Sequence, residues 1–334
     1  MPTDPASFWR NRPTLVTGGT GLLGSWMVRQ LLAAGAKVVC LVREPSPEAL
    51  SSTLLSRTEV VRGDIRDLTA VQRAMHDFEI ATVVHLAGQA IVSKATRDPV
   101  SAFEANIQGT WVLLEACRHS PSVRQVLLAS SDGVYGEWKQ LPCTEDGPLL
   151  GRNPYGVSKV CAELIAQSYA TTYQLPVVIA RCGNFFGGGD LNFNRIVPGT
   201  IRSLYNNEAP VIRSDGRYVR DYLYIEDGVA AYMRLAECLA ERPELAGQVF
   251  NFSNGSPISV IDMVRLILRV AGSKLEPRIL SEVSNEVREQ YASNEKAQKI
   301  LEWSPRFSLE EGLRRTIDWY HQLFAAEAAR ERTP

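Results

Sequence analysis

Tyr155 and Lys159 stand four residues apart in NPYGVSK, and Ser131 and Asp132 stand together in SSDGVYG. Side chains at i and i+4 share one face of a helix, so the phenol and the ammonium are neighbours if NPYGVSK opens a helix. A phenol with its reference pKa near 10 is a poor base at neutral pH, but an adjacent ammonium favours the phenolate. Tyr155 could then take a hydroxyl proton as hydride leaves the carbon, while a strand-end hydroxyl such as Ser131 holds the reacting oxygen. YxxxK is also common on plain helix surface. What raises it here is the company it keeps.

TGGTGLLGSW follows the apolar run TLVT, and Gly18, Gly21 and Gly24 give GxxGxxG at the mouth of a helix. Glycine permits the tight turn and lets main-chain amides approach a pyrophosphate, whose charge the helix N-terminus favours. Alone the pattern equally fits an ordinary strand-to-helix turn; its place after the first strand of a βαβ unit points to a dinucleotide. Thr20, Leu22 and Leu23 complete that loop. A ribose-binding acid is missing at the end of KVVCLV, where Val42 and Arg43 stand instead. Arg43 suits the 2′-phosphate of NADP or an adenine face, and equally a solvated loop, while Glu44 beside it would oppose a phosphate. NAD and NADP both stay open. Asp64 and Ile65 of RGDIRD fall at the adenine, and Leu86, Ala87 and Gly88 of HLAG pass beneath the cofactor. Lys159 suits the nicotinamide ribose, and the nicotinium charge adds to the pull on the Tyr155 proton.

These residues need a frame. Short β-branched runs (TLVT, KVVCLV, TEVVRGD, TVVHLAG, QVLLAS, LPVVIARCGN) alternate with amphipathic ones, including Leu68 to His76 and a helix from about Pro99 to Arg118. That alternation predicts an α/β fold, a Rossmann-type doubly wound parallel sheet. The strands are almost continuously apolar because helices cover both faces. After about Phe185 the texture becomes irregular and more charged. We expect a Rossmann domain over 1–185 and a smaller C-terminal substrate-binding lobe over 186–334, part of which returns to the sheet.

A chain of 334 residues with formal net charge -1 and no basic block offers nothing to nucleic acid or anionic lipid. Six scattered cysteines without metal-type spacing read as buried thiols in a reducing cytoplasm. His76, His85, His119 and His321 do not cluster, and His85, on a buried strand, reads as a packed and hydrogen-bonded imidazole; no metal site is expected. No apolar run is long enough to span a bilayer.

Glycine loop, HLAG, Asn106, SSDGVYG, YGVSK and RDYLYIEDG together resemble the extended short-chain dehydrogenase/reductase family of nucleotide-sugar epimerases and dehydratases, over nearly the whole chain. The resemblance implies a nicotinamide that oxidises C4 of a nucleotide-linked hexose and later returns the hydride. It implies Tyr155 as base, Lys159 as its electrostatic partner, Ser131 as hydroxyl clamp, and Asn106 on a helix near the site. Asn184 matches a contact to substrate phosphate, Arg220 the arginine that grips the diphosphate, and Arg195 the same pocket. An arginine beside Asp221 equally suits a structural ion pair. Family members commonly dimerise through the long helix and the YxxxK helix.

CGNFFGGGDLNFNRIVP looks most like the CDP-glucose 4,6-dehydratase branch. Dehydration needs a base for C5–H and an acid for the C6 hydroxyl. Asp132 takes the place of the acid; the next position, Glu or Lys in such dehydratases, is Gly133. Asp132 itself, Glu137 or a water is left to move the second proton. A 4-epimerase needs only Tyr155, Lys159 and Ser131, and Asp132 would then cap loop amides. An NADPH-dependent 4-keto-sugar reductase is a further reading, told apart by cofactor consumption. A non-catalytic cofactor sensor would need no intact Ser131, Tyr155 and Lys159.

Overall fold

Strands with no polar face need cover on both sides, and the computed structural model, which describes residues 5–43, 53–282 and 287–331, supplies it. Glu44 lies outside the described residues. β1 (Pro13–Thr17), β2 (Lys37–Val42), β3 (Glu59–Arg62), β4 (Thr82–His85), β5 (Gln125–Ser131), β6 (Val177–Cys182) and the strand Val249–Phe252 form one parallel sheet. Its order runs from Val249–Phe252 through β6, β5, β4, β1 and β2 to β3.

Alternate residues of each strand enter opposite cores, as the pleat requires. Val16, Val84, Leu127 and Val178 join Trp26, Met27, Tyr232 and Phe250 on one face. Leu15, Val83, Val126 and Val177 join Val71, Leu113 and Ala166 on the other. The direction of winding reverses between β1 and β4. At such a switch point the helices part and leave a crevice at the carboxyl ends of the strands.

The helix expected from Pro99 to Arg118 is interrupted. Pro99–Phe103 gives way to one π turn, Glu104–Gln108, before the α-helix Gly109–Arg118 resumes. The wider turn carries Asn106, which is buried at 2% exposure. Beyond β6, Val249–Phe252 apart, the strands are two or three residues long. Asn184–Phe186 pairs with Tyr222–Tyr224, and Val219–Arg220 lies between Ile258–Ser259 and Glu289–Gln290. Among the described residues no helix is long and apolar enough to cross a membrane.

Candidate active site

Two of the three loop glycines are dictated by collisions. Gly18 has φ +74°, and a Cβ there would stand 2.8 Å from the Ala87 amide nitrogen. A Cβ on Gly24 would run into the Gly18 carbonyl. Gly21 is different: it is exposed, and its Cβ would meet only the Gly18 carbonyl oxygen, at 3.4 Å. It is the N-cap of the helix Leu22–Ala33, which has no side-chain cap, so the helix presents its first-turn amides and positive end at an open position. That cradle fits a dinucleotide pyrophosphate. Thr20, Leu22 and Leu23 lie half-buried along it.

Behind the cradle, Thr17 Oγ1 accepts the amides of Leu86 and Ala87, both at 3.2 Å, and lies 2.8 Å from His85 Nδ1. Burial, and then the charge of Lys159, push His85 down to about 3, so the ring is neutral. Gly88 is packed against Asn106 Oδ1. Asn106 accepts from Gln89 N at 2.7 Å and donates to Ser158 Oγ at 2.8 Å, and Ser158 in turn donates to the Tyr155 carbonyl. Asn106 thus ties the HLAG loop to the catalytic helix, with its amide used inside the protein.

Arg43 is exposed at the end of β2. The Asp64 carboxylate is gripped by Arg66, through Nε at 2.9 Å and Nη2 at 3.0 Å, and this pairing holds it below its ordinary range. The fork of Arg66 thus competes with the adenine contact the sequence points to. Ile65 is buried under Gly109.

The catalytic helix, Pro154–Tyr173, is capped by Asn153, whose side chain accepts the Gly156 amide. It presents Tyr155 toward Ser131 at the end of β5, near enough for the serine hydroxyl to favour the phenolate. Burial pushes Tyr155 up to about 12, against the pull of Ser131 and Arg195, and pushes Lys159 down to about 8. The phenolate is therefore favoured within the chain by Ser131 and Arg195, more than by the lysine to which the spacing points. Lys159 Nζ donates to the Ala129 carbonyl at 2.8 Å.

Asp132 does not cap the loop. The Gly133 amide goes to Ser131 Oγ at 3.1 Å, and Ser131 Oγ donates to Asp132 Oδ1 at 3.0 Å. Oδ2 is buried and makes no hydrogen bond of ordinary length and angle among the described residues; the Gln290 amide and the Arg220 guanidinium stand off from the carboxyl and offset part of its burial. Burial raises Asp132 to about 6. A Cβ at Gly133 would lie 3.4 Å from both Ser131 Oγ and Tyr155 Cε1, ordinary contacts, so nothing in the backbone demands glycine there. Glu137 is exposed, beyond the turn at Gly136.

Facing this corner from the irregular half, Arg195 pairs with the buried Asp190 at 3.0 Å and reaches Tyr155 electrostatically. Asn184 is exposed at the start of its short strand. Arg220 donates to the carbonyls of Val219 and Arg288 and lies over the Tyr218 ring. Asp221 turns inward to Ser253 and the Asn254 amide. The sequence reading missed Arg288, which shares the Tyr218 ring with Arg220, and Gln290, in register with Arg220. Neither has a sequence signal, since both reach the site only through pairing of two-residue strands.

The chain matches the GDP-mannose 4,6 dehydratase family over residues 15–316. It belongs to that family. The family sits among the extended short-chain dehydrogenase/reductases, so the resemblance read from the motifs and the doubly wound sheet stand together. The low-salt glycan biosynthesis protein Agl12 of Haloferax volcanii is 33% identical over 92% of this chain and 97% of its own length. The UDP-glucose 4-epimerase of Thermotoga maritima superimposes with a TM-score of 0.85 at 28% identity, covering 93% of this chain and 99% of that one. DesIV, a dTDP-glucose 4,6-dehydratase of Streptomyces venezuelae solved with NAD bound, gives 0.85 at 26% identity, covering 94% and 98%. Dehydratases and epimerases both stand among the relatives of this family member.

Proposed function

We propose that this enzyme is a nucleotide-diphosphohexose 4,6-dehydratase acting on a glucose nucleotide, with Tyr155 and Asp132 as its two proton-handling groups. One observation carries the reading: a buried carboxyl beside the Ser131 clamp, with one oxygen bonded to that serine and the other without a hydrogen-bond partner among the described residues. An epimerase has no use for such a group. A bound NAD or NADP would supply the hydride chemistry that joins C4 to C6. The Gly18–Gly24 loop holds its pyrophosphate, and Lys159 its ribose.

Every other step falls to side chains. Tyr155 takes the O4–H proton while Ser131 holds that oxygen. With Gly133 in the usual base position, the Asp132 carboxylate removes the acidified C5–H. It then gives that proton to the C6 hydroxyl, which departs as water when the C6–O bond breaks. The proton lost from O4 balances the one that returns to C5, and Ser131, which donates to Asp132 and faces Tyr155, stands between the two. Arg220 and Arg288 on Tyr218, the latter also paired with Asp215 at 2.8 Å, bring two guanidiniums toward the diphosphate, and Arg195 and Asn184 complete the pocket in the lobe after residue 185.

The 4-epimerase remains the second reading because Gly133 lacks a proton-moving side chain. Incubation with CDP-, UDP-, dTDP- and GDP-glucose decides by product mass: one water lighter for dehydration, unchanged for epimerisation. Stoichiometric NADPH oxidation would instead mark a reductase. We infer a cytoplasmic homodimer joined through Val100, Trp111 and Leu164, which are exposed on the long and catalytic helices. Sedimentation of Trp111→Glu as a monomer would support that face, and an unchanged dimer would exclude it.

A further inference from the structure

His85 closes β4, is buried, and has a threonine hydroxyl beside each of its ring nitrogens. Nδ1 lies 2.8 Å from Thr17 Oγ1 at the end of β1, and Nε2 lies 3.3 Å from Thr110 Oγ1 on the helix Gly109–Arg118. The other partners of those hydroxyls fix which nitrogen carries the hydrogen. Thr17 Oγ1 has two lone pairs, and the amides of Leu86 and Ala87 take both; Leu86 shares its amide with the Thr17 carbonyl. The Thr17 proton is left for Nδ1, which is therefore bare. Thr110 Oγ1 gives its proton to the Asn106 carbonyl at 2.6 Å, so toward His85 it accepts. Nε2 then carries the hydrogen, and both ends of the ring assign the same tautomer.

The imidazole is thus the middle of a continuous chain of buried groups. From Thr17, next to Gly18, the chain passes through His85 to Thr110 and the Asn106 carbonyl inside the π turn. The Asn106 side chain carries it to Gln89 and to Ser158 Oγ, and Ser158 ends it on the Tyr155 carbonyl at 2.7 Å. Four segments that meet at the crevice are joined in this way: the glycine loop, the HLAG loop, the π turn and the catalytic helix. A neutral imidazole accepts on one edge and donates on the other, with the direction held by a rigid ring. A protonated ring would donate on both, and Thr17 would have to release one loop amide to accept it. Burial and the charge of Lys159 keep the ring neutral.

We propose that His85 is a positioning residue: as the Nε2–H tautomer it locks the HLAG loop, through Thr17, to the π turn, through Thr110, and so holds the floor that a bound dinucleotide meets. That floor has little slack, since a Cβ on Gly18 would already stand 2.8 Å from the Ala87 amide nitrogen. The inference rests on reading the glycine loop and HLAG as the cofactor site, and it is independent of whether the sugar is dehydrated or epimerised.

Its test uses no sugar. Nitrogen-15 NMR of the histidine-labelled wild-type protein reads the tautomer, with the His85 signals assigned by their loss in His85→Asn. We expect hydrogen on Nε2 and a bare Nδ1; hydrogen on Nδ1 would overturn the proposal. Affinity for NAD or NADP, whichever the wild type binds, is then followed by tryptophan fluorescence. Wild-type protein that bound neither would overturn the cofactor reading itself, before any variant is compared. His85→Leu removes both links and should weaken binding by about tenfold, the effect of stranding a buried hydroxyl under the loop. His85→Asn places an amide oxygen where Nδ1 stands, keeps the acceptor for Thr17, and should stay within about threefold of wild type. Unchanged affinity in His85→Leu, or equal losses in the two variants, would overturn the proposal and leave the ring as packing. Should His85→Leu not fold, the tautomer and His85→Asn decide, and a loss of about tenfold in His85→Asn overturns it.

Discussion

The two sides of the crevice are built on opposite terms. Behind the glycine loop the side-chain polar groups are matched within the chain: Thr17 takes the Leu86 and Ala87 amides, and Asn106 spans Gln89 and Ser158. Gly18 and Gly24 are fixed there by backbone collisions. At the Ser131–Asp132 corner, a buried oxygen has no hydrogen-bond partner among the described residues, and both Tyr155 and Lys159 are displaced from their ordinary pKa values. A Cβ at Gly133 would meet Ser131 and Tyr155 only in ordinary contact, so no collision dictates that glycine. Geometry fixes the cofactor side, while uncompensated polarity sits where we propose the chemistry, a frequent exchange of stability for function.

The sharpest way to break the comparison is at Tyr155. Tyr155→Phe should lower turnover of any sugar nucleotide by about 10³-fold while NAD binding stays within twofold, since general base catalysis is typically worth 10²–10⁴. Comparable losses in both would mean that Tyr155 belongs to the fold. On the other side, Gly24→Ala should weaken NAD by about 100-fold or more, as its Cβ must displace the Gly18 carbonyl, whereas uncrowded Gly21 should cost about tenfold through contact with the pyrophosphate alone. Equal losses, read by fluorescence titration, would remove the distinction between collision and cofactor contact.

The pH profile is the next test. Asp132 must be ionised to take C5–H, so turnover should fall as pH drops through about 6. Lys159 must be charged, so it should fall again above about 8. A profile flat across pH 6 would take Asp132 out of the chemistry. The smallest effect is on stability. A carboxyl whose folded pKa is raised makes its ionised form costly above that pKa, so the cost is present at pH 7 and vanishes in acid. Asp132→Asn should therefore gain on the order of 3 kcal/mol at pH 7, from a shift of about two units, and melt a few degrees higher. A lower melting temperature would show that the carboxylate is a structural anchor.

Much of this was legible in the sequence because it is local. The glycine turn, the apolar strands and the YxxxK stripe depend on neighbours a few residues away, and so does the doubly wound order they imply. What could not be read is long-range. The loneliness of Asp132 depends on its burial beneath Gly183, Gln290 and Arg220, from segments far along the chain. The π turn at Asn106 answers to Gln89 and Ser158. Glu163 reads as helix surface until Arg181 is noticed as a charge inside the apolar run VVIARC, the one signal that could have paired them.

The most direct test of the central claim is proton NMR of the wild-type reaction in deuterium oxide with the glucose nucleotide that turns over, beside Asp132→Asn. The account predicts loss of water, deuterium at C5, the C4 hydrogen carried to C6, and none of these in the variant. A C4-inverted isomer of unchanged mass and free of deuterium, formed equally well by Asp132→Asn, would contradict it and make the enzyme an epimerase.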